Sequence, residues 1–583
     1  MKNLFALIPY LNKYKAKLFL GFFFIAISIF LGSLYPQILG DAIDELTNQT
    51  NHHTFLYYSI LSVSLILLGG IFLFFTRQTI IVVSREIEND LRFDFFSHLQ
   101  KLDRDFYNNN TTGNLMAHAT NDINNVRNLL GPGIMYSVQT LLRTVITLII
   151  LFSISTEITL IALLPLPLIS ILVYKVMKYT YNRSMKVQES FSLMTTKAQE
   201  NFSGIRVIKS YVREMFEIEE FERISRDYQK KNLSLARLQA YSFPMMFLLT
   251  GLSIILVIYF GGVKYIHGEM TLGNIAEFMV YLGQLTWPMI AFGWIINLVQ
   301  RASPSMQRLM KIINTEPTVK ENSMTDKTLT SEKIDGEIVF DNVSFKYPGT
   351  EKYIVKNINL KIPKGSTLGI IGHTGEGKST FVNLIPRIYD ATEGDILIDG
   401  IDIKKIPLQT LRKTIGIVPQ ESFLFSETIE NNISYSSDIV DENNVIESAK
   451  ISGLYKDVIL FPDKFKTILG ERGITLSGGQ KQRTSIARAV YLKPKILILD
   501  DALSAVDTHT EEEILSGLKE VMKNRTSIII AHRISTIQNA DKIIVLSDGK
   551  IKEEGTHQEL LDKEGIYYNI YQKQLLEEEI EEL

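Results

Sequence analysis

The distribution of apolar residues constrains this fold more than any other feature of the sequence. Residues 18–39 carry no charged side chain, and about 20 such residues cross a bilayer as a helix. A signal peptide is the alternative, because Lys13, Lys15 and Lys17 precede the run. The run exceeds the ~7–15 residues of a signal peptide's apolar core, and no small-residue cleavage site follows it. It is therefore predicted to be a retained membrane helix.

Similar apolar runs predict six membrane spans in the first half of the chain. They cover residues 18–39, 55–83, 133–153, 157–178, 241–265 and 275–298. Lys and Arg are frequent before the first span and in two long connections, but they are absent from residues 40–54 and 154–156. Because basic residues stay on the cytoplasmic side, both termini are predicted to be cytoplasmic, in a multi-pass protein of the cell membrane.

The two long connections, residues 84–130 and 179–240, show helical spacing and contain no proline. They predict that the membrane helices continue far into the cytoplasm and return as an α-helical bundle. The turns are predicted near residues 108–113 and 201–204, where Asn and Gly permit tight turns.

Two arginines fall within predicted spans. Arg77 lies near the cytoplasmic end of the second span, where a long side chain can reach the interface. Arg143 lies near the middle of the third span, which is unfavourable unless it faces a wet cavity or a partner. Packing is the simpler interpretation for the large side chains of the sixth span, which are Phe278, Tyr281, Trp287, Phe292 and Trp294.

Composition excludes several classes of function. The chain holds 61 Lys and Arg against 64 Asp and Glu, for a net charge of −3. This balance argues against a nucleic-acid-binding protein. The absence of cysteine excludes disulfides, thiolate-bound metals and thiol nucleophiles.

The chain changes character after the sixth span. Residues 1–313 form the predicted membrane domain, and the polar residues 314–335 form a predicted linker. From residue 336 to 583, short β-rich runs alternate with helical patterns. This alternation predicts an α/β domain with a largely parallel sheet.

A phosphate-binding loop follows the strand predicted at residues 368–371. The loop matches G-x-x-x-x-G-K-[ST] and consists of Gly372, His373, Thr374, Gly375, Glu376, Gly377, Lys378 and Ser379. Lys378 is predicted to reach the β- and γ-phosphates, and the Ser379 hydroxyl to bind Mg²⁺. A second apolar strand delivers Asp500 to the same sheet edge, where a carboxylate serves a Mg²⁺ site, and Asp501 comes next.

Between these motifs lies Leu476-Ser477-Gly478-Gly479-Gln480. With this signature, the sequence resembles the ATP-binding cassette (ABC) family, specifically exporter half-transporters. The resemblance covers essentially the whole chain. It implies a six-helix membrane bundle of the type I exporter fold fused to a carboxy-terminal α/β nucleotide-binding domain, with ATP and Mg²⁺ as cofactors.

The resemblance also implies roles for single residues. Tyr347 resembles the aromatic that stacks on adenine, and Thr380 joins the loop residues in binding nucleotide. Gln420 resembles the glutamine that senses Mg²⁺, which makes Ser379, Gln420 and Asp500 the expected metal ligands. His532 resembles the γ-phosphate histidine, Asp507 belongs to the loop that crosses between subunits, and Glu471 to a loop that touches the membrane domain. The coupling helices are expected near residues 112–122 and 200–208.

One residue departs from the family's pattern. Most active cassettes place Glu after the strand aspartate, whereas this chain has Asp501. Asp is one methylene shorter, so its oxygens lie about 1.5 Å further back, and a misplacement of about 1 Å can lower a rate ~10²-fold. Two cassettes of this family meet head to tail, so each ATP lies between one chain's P-loop and the other chain's signature. Because Asp501 weakens one of these sites, the resemblance implies a heterodimer. This chain would then supply a weakly hydrolytic P-loop site and an intact LSGGQ to a partner half-transporter. The alternative is a homodimer in which Asp501 is a slow base.

The expected function is ATP-driven export of an amphipathic drug-like compound, lipid or peptide across the bilayer. The catalytic residues would be Asp501, His532 and Gln420. An ATP-gated sensor or binding module with little transport of its own is the alternative from a different class.

Overall fold

The apolar runs of the first half form long helices in the computed structural model. It describes residues 2–47, 52–470, 473, 475–504 and 508–581. The chain divides into two units, one of residues 1–100 and 112–315, the other of residues 101–111 and 316–583. Glu471 and Asp507, which have predicted roles, lie outside the described residues.

The first unit is helical. Its helices are α1 (Ile8–Lys13), α2 (Lys15–Thr47), α3 (His52–Thr76) and α4 (Val82–Leu99), then, after α5 (Arg104–Asn109) of the second unit, α6 (Thr112–Ala117), α7 (Ile123–Asn128), α8 (Ile134–Ile154), α9 (Thr156–Leu163), α10 (Leu166–Ser203), α11 (Ile205–Ser210), α12 (Glu214–Ile266) and α13 (Leu272–Ile313). Turns of π-helix at Arg77–Ile81, His118–Asp122 and Leu129–Gly133 interrupt the run of α-helices.

Five stretches within the described residues are long and apolar enough to cross a membrane. They are Lys15–Thr47, His53–Leu99, Thr112–Ile154, Phe247–Ile266 and Leu272–Ile313. Four of the predicted spans lie in them, and a fifth, residues 241–265, overlaps Phe247–Ile266. The remaining predicted span, residues 157–178, lies in α9 and α10 and includes side chains outside the described set.

Helices α2 and α13 approach each other to backbone contact. A Cβ placed on Gly273 would lie 2.2 Å from the Gly40 carbonyl oxygen, so only glycine fits there. Asp44 accepts a hydrogen bond of 2.7 Å from the Gly273 N–H. Small residues at a helix interface permit such an approach. Helix α13 also packs against α8 and α12.

Residues 101–111 belong to the second unit although they interrupt the first. They contain α5 (Arg104–Asn109), whose N-cap is Asp103. The first coupling helix was expected at residues 112–122, but those residues continue in helical form within the first unit. The helix breaks at residues 100–103, between the end of α4 at Leu99 and the cap of α5 at Asp103, and again at residues 110–111, within the turn predicted at residues 108–113. Helix α11 overlaps the second expected position, 200–208.

The second unit is built on two sheets. Its strands are β1 (Ile338–Phe345), β2 (Val355–Ile362), β3 (Thr367–Ile371), β4 (Glu393–Ile398), β5 (Ile401–Asp402), β6 (Ile415–Val418), β7 (Ile496–Asp500), β8 (Thr526–Ile530), β9 (Lys542–Ser547) and β10 (Lys550–Gly555). One sheet is antiparallel, in the order β2-β1-β4-β5. The other has the order β10-β9-β3-β8-β7-β6, in which β9, β3, β8, β7 and β6 run parallel.

α-Helices follow or connect these strands. They are α14 (Lys378–Asn383), α15 (Leu408–Thr414), α16 (Ile429–Ile433), α17 (Glu442–Ile451), α18 (Tyr455–Val458), α19 (Gly478–Tyr491), α20 (Thr508–Met522), α21 (Ile534–Ile537), α22 (His557–Asp562) and α23 (Ile566–Glu581). Every residue of β7 and β8 is buried, as expected for strands covered on both faces. The parallel strands therefore deliver their carboxyl ends to one edge, where ligands of such sheets bind.

Candidate functional site

A cavity of about 280 Å³ opens where β3, β7 and β8 end. Its lining contains most of the residues predicted for the nucleotide site: Tyr347, Thr374, Gly375, Gly377, Lys378, Ser379, Thr380, Gln420, Asp500, Asp501 and His532. Gly372, His373 and Glu376 lie in the same loop without lining the cavity. Residues from well-separated parts of the chain thus meet at the predicted edge.

The loop after β3 requires glycine at two positions. Gly375 and Gly377 have φ values of +90° and +89°, a region that L side chains rarely adopt. A Cβ on Gly377 would also lie 2.9 Å from the Ile354 carbonyl oxygen. The loop therefore keeps its tight shape only with these glycines, and its backbone N–H groups are free of side-chain bulk on the cavity side.

Lys378 folds back across this loop. Its Nζ donates to the carbonyl oxygens of Gly372 at 2.7 Å and His373 at 2.9 Å, and only 7% of the residue is exposed. Burial lowers the pKa of Lys378, while the charges of Asp501 and Asp500 oppose that shift. A buried ammonium group held by two neutral carbonyls is well placed to exchange them for phosphate oxygens.

Ser379 and Asp500 form a pair of hard oxygen donors. The Ser379 hydroxyl donates to Asp500 Oδ1 at 3.0 Å, and Asp500 is 5% exposed. Burial raises the pKa of Asp500, against the hydrogen bond from Ser379. A divalent cation would stabilise this buried carboxylate, and hydroxyl and carboxylate oxygens are the ligands that Mg²⁺ prefers. The donors present therefore fit Mg²⁺, with Gln420 exposed at the rim.

An aromatic wall closes one side of the cavity. The Tyr347 ring lies edge-on to Phe345 and Tyr389, with centroid distances of 5.1 and 5.4 Å. Its hydroxyl hydrogen-bonds the Thr380 hydroxyl at 2.9 Å. The ring is thus fixed beside the loop, where a flat base can stack on it.

Asp501 and His532 follow β7 and β8. Asp501 has a left-handed backbone with φ of +50°, and its N–H donates to the Ile530 carbonyl at 3.0 Å. Its side chain lines the cavity, as does that of His532, which is exposed. The carboxylate that departs from the family's pattern therefore stands at the expected position.

Gln574 is a residue that sequence reasoning missed. Its Nε2 donates to the His532 carbonyl at 2.6 Å, and its Oε1 accepts from the Ile534 N–H at 2.9 Å. The amide thereby holds the backbone on both sides of Arg533. No local motif marks this contact, since it joins residues 40 and 42 positions apart.

The LSGGQ segment lies away from the cavity. Ser477 caps α19, and Ser477 and Gln480 form a reciprocal capping box. Gln480 also donates to Asp457 Oδ1 at 3.2 Å. Neither these residues nor Gly478 and Gly479 line the chain's own P-loop cavity.

A second cavity, of about 190 Å³, lies within the first unit. Arg77 and Arg143 both line it, together with Tyr136, Gln139 and Trp287. Arg143 faces a cavity, as its mid-span position favoured. Arg77, for which an interfacial position was the simpler interpretation, lines the same space.

Comparisons with known proteins identify each of the two units separately. The profile described as "ABC transporter transmembrane region" matches residues 18–289, and that described as "ABC transporter" matches residues 355–504. The chain is 36% identical to the "Multidrug resistance-like ATP-binding protein MdlA" of Buchnera aphidicola subsp. Schizaphis graminum, over 97% of each chain. It is 34% identical to the "ATP-dependent lipid A-core flippase" of Syntrophus aciditrophicus, over 95% of this chain and 91% of that one.

A solved structure shares the fold along the whole length. It is described as "Structure of a bacterial Atm1-family ABC exporter with ATP bound", with a TM-score of 0.79 and 26% identity over 96% of this chain and 98% of that chain. The predicted fold class is thereby confirmed. Two matched profiles in order, full-length relatives and a shared exporter fold show that this chain belongs to the ABC transporter family, as a multi-pass half-transporter whose ATPase drives transport as part of a dimer.

Proposed function

We propose that this chain exports amphipathic compounds across the cell membrane, with both termini in the cytoplasm. The observation that carries the proposal is the meeting of Lys378, Ser379 and Asp500 at one cavity in a chain with long apolar helices. The names of relatives, which include a multidrug resistance-like protein and a lipid flippase, support an amphipathic substrate class.

The cavity residues divide the binding of ATP among them. Tyr347 stacks on the adenine, Lys378 and the loop N–H groups hold the phosphates, and His532 contacts the γ-phosphate. Ser379, Asp500 and Gln420 would hold Mg²⁺, which neutralises charge on the phosphate oxygens when bound. Asp501 orients the attacking water, with a reach shorter than that of Glu.

The same geometry supports an unequal pair of sites. Asp501 makes this chain's P-loop site weakly hydrolytic. The Ser477–Gln480 segment lies off its own cavity and completes a competent site on a partner half-transporter. Asp507 belongs to the loop that crosses between the two cassettes. This chain is therefore one half of a heterodimer, in which ATP binding closes the cassettes and switches the membrane helices to face outward.

ATP hydrolysis by the purified chain tests this division of labour. Alone, it should bind ATP but hydrolyse it slowly, and Asp501→Glu should raise the rate by up to ~10²-fold if reach is the defect. Asp501→Asn, which removes the carboxylate without changing its length, is the matched control and should not raise it. Rapid hydrolysis by the unmodified lone chain would contradict the heterodimer and favour a homodimer with Asp501 as base.

Transport is tested separately in inverted membrane vesicles that contain the chain and its partner. ATP-dependent uptake of a fluorescent amphiphile is expected, and Lys378→Ala combined with substitution of the partner's P-loop lysine should abolish it. If nucleotide binds but no amphiphile is taken up, the chain is an ATP-gated binding module rather than an exporter.

A further inference from the structure

The phosphate-binding loop, residues 372–379, contains one acidic residue, Glu376. Its charge is of the same sign as that of the phosphates that the loop is proposed to bind, so it opposes their binding. Glu376 is half-buried and does not line the nucleotide cavity, although its neighbours Gly375 and Gly377 do. The side chain therefore acts on a nucleotide through the shape of the loop or through its charge, and not by direct contact.

The Glu376 side chain reaches the turn between β9 and β10. Its Oε2 accepts a hydrogen bond from the Asp548 N–H, which lies 172 positions away in sequence. Because the acceptor is ionised, this bond is stronger than one between two neutral groups. The carboxylate thereby fastens the phosphate-binding loop to a turn from a distant part of the chain.

This turn is itself held in place. The Gly549 carbonyl accepts a hydrogen bond of 2.7 Å from the Lys356 N–H in β2. A Cβ on Gly549 would lie 2.4 Å from the Ile354 carbonyl oxygen, so the turn is in backbone contact with the segment that precedes β2. Ile354 also lines the nucleotide cavity. The turn is therefore a fixed support beside the site.

The loop contacts the same part of the sheet where it begins. Strand β9 pairs with β3 in parallel, and a Cβ on Gly372 would lie 2.3 Å from the Leu546 carbonyl oxygen. A Cβ on Gly375 would meet no atom within 4 Å outside its chain neighbours, so the middle of the loop lacks such support. The loop is thus held at Gly372 by packing and at Glu376 by a hydrogen bond, directly before Lys378.

The charge of Glu376 acts on the same site. Burial lowers the pKa of Lys378, and the charges of three carboxylates oppose that shift, those of Asp501, Asp500 and Glu376. A carboxylate near enough to stabilise the Lys378 ammonium group also repels phosphates that Lys378 binds. The hydrogen bond and the charge of Glu376 therefore have opposite effects on nucleotide binding.

We propose that Glu376 is a positioning residue that sets the nucleotide affinity of this site. Its hydrogen bond to the Asp548 N–H holds the loop in the shape whose N–H groups bind phosphate, and its charge limits how tightly they are bound. This inference rests on the proposed binding of ATP in the cavity. It adds a side chain and a supporting turn that the proposed division of roles does not use.

Two conservative variants separate the two effects. Glu376→Asp keeps the charge but is one methylene too short for the Asp548 N–H, so it should weaken ATP binding at least about fivefold. Glu376→Gln keeps the length and an oxygen acceptor but removes the charge, so it should tighten ATP binding about two- to fivefold. Glu376→Gln should tighten the binding of ADP less, because ADP carries one phosphate fewer.

Displacement of a fluorescent ATP analogue from the full chain in nanodiscs, with Mg²⁺ present, measures these affinities. Raising KCl from about 50 to about 500 mM should reduce the effect of Glu376→Gln, because salt screens charge, and should leave that of Glu376→Asp. Glu447→Asp and Glu447→Gln are the matched controls, since Glu447 is an exposed residue of α17 outside the cavity. Both should bind ATP like the unmodified chain.

Hydrogen exchange tests the bond itself without nucleotide. The peptide that contains Asp548 should exchange faster in Glu376→Asp than in Glu376→Gln or the unmodified chain. Equal exchange in all three chains, equal ATP affinity in the unmodified and Glu376→Asp chains, or weaker ATP binding by Glu376→Gln would overturn the inference. An unmodified chain that binds the analogue no better than Lys378→Ala does would instead contradict the nucleotide site, and with it the proposed function.

Discussion

Asp501 and Gln574 show how single side chains tune one nucleotide site. Asp501 lines the P-loop cavity, and its side chain is one methylene shorter than that of the glutamate expected there. Gln574 does not line the cavity, but its amide holds the backbone at His532 and Ile534. We place Gln574 as a positioning residue, because it contacts the histidine's backbone and not the cavity.

Gln574→Ala should slow hydrolysis at this site severalfold, because loss of hydrogen bonds worth about 1 kcal/mol each loosens the His532 backbone. Gln574→Glu should slow it further, since a carboxylate oxygen would face the His532 carbonyl. Single-turnover hydrolysis in the Asp501→Glu background measures the effect. The dissociation constant for ATP should change less than the rate. A chain that ends after Leu575 keeps the Gln574 amide and is the control. Equal rates in the Asp501→Glu chain, its two Gln574 variants and this truncated chain would contradict the assignment.

The sequence predicts residues of this site unevenly. Lys378, Ser379 and Asp500 are predictable from local patterns: the first two begin the helix after the glycine-rich loop that follows β3, and Asp500 ends β7. Parallel strands then bring these ends together. Gln574 is not predictable, because a single glutamine in a helix can hydrogen-bond many different partners. Its role depends on where α23 packs, which long-range contacts decide.

At the scale of elements, α5 is distinguished by its contacts with distant parts of the second unit. Asp103 caps it and accepts hydrogen bonds from the N–H and hydroxyl of Thr318, at 2.5 and 2.6 Å. Asn108 donates to the Tyr389 hydroxyl at 3.1 Å, and Tyr389 lies edge-on to the Tyr347 ring. The Tyr389 side chain therefore connects α5 to the Tyr347 ring, which lines the nucleotide cavity.

Tyr389→Phe should weaken coupling between substrate and ATPase, because it removes the hydrogen bond to Asn108 and keeps the ring contact with Tyr347. Substrate stimulation of hydrolysis should fall, while ATP affinity changes little. Asn108→Ala should have the same effect, and the double variant should be no worse than either single one. Additive losses would show that the two residues act separately.

Element types were easier to predict than turning points. The apolar runs and strand-loop-helix motif are local patterns, and the structure contains helices and strands at those places. A break at residues 110–111 falls within the turn predicted at residues 108–113, whereas the earlier break at residues 100–103 was not predicted. At that earlier break Asp103 caps α5 and accepts additional hydrogen bonds from residues 318 and 319, which no local pattern indicates.

At the scale of the whole transporter, two cassettes share two sites. If the sites are unequal, the P-loop and the LSGGQ segment of this chain contribute unequally to ATP hydrolysis by the complex. In the proposed heterodimer, its LSGGQ would serve the competent site and its P-loop the weak one. A symmetric homodimer has no such difference.

Ser477→Ala in this chain should therefore lower steady-state hydrolysis by the complex more than Lys378→Ala does. Loss of an N-cap also destabilises α19 by about 1 kcal/mol, so thermal unfolding of each variant is measured beside the ATPase rate. Ser437→Ala, in an exposed loop, is the matched serine control and should have no effect. Equal losses from the two variants would indicate equivalent sites.

The second unit contains a segment, residues 101–111, that lies within the first unit in sequence, and this affects expression of the cassette as a separate fragment. Residues 101–111 are made about two hundred residues before the rest of the unit to which they belong. A cassette expressed from residue 316 onward would lack a piece of its own surface and expose the hydroxyl of Tyr389 and the amides at residues 318 and 319. A synthetic peptide of residues 101–111 could be added to such a fragment to supply the missing segment. During synthesis on the ribosome, residues 101–111 cannot form these contacts until the residues from 316 onward have been made.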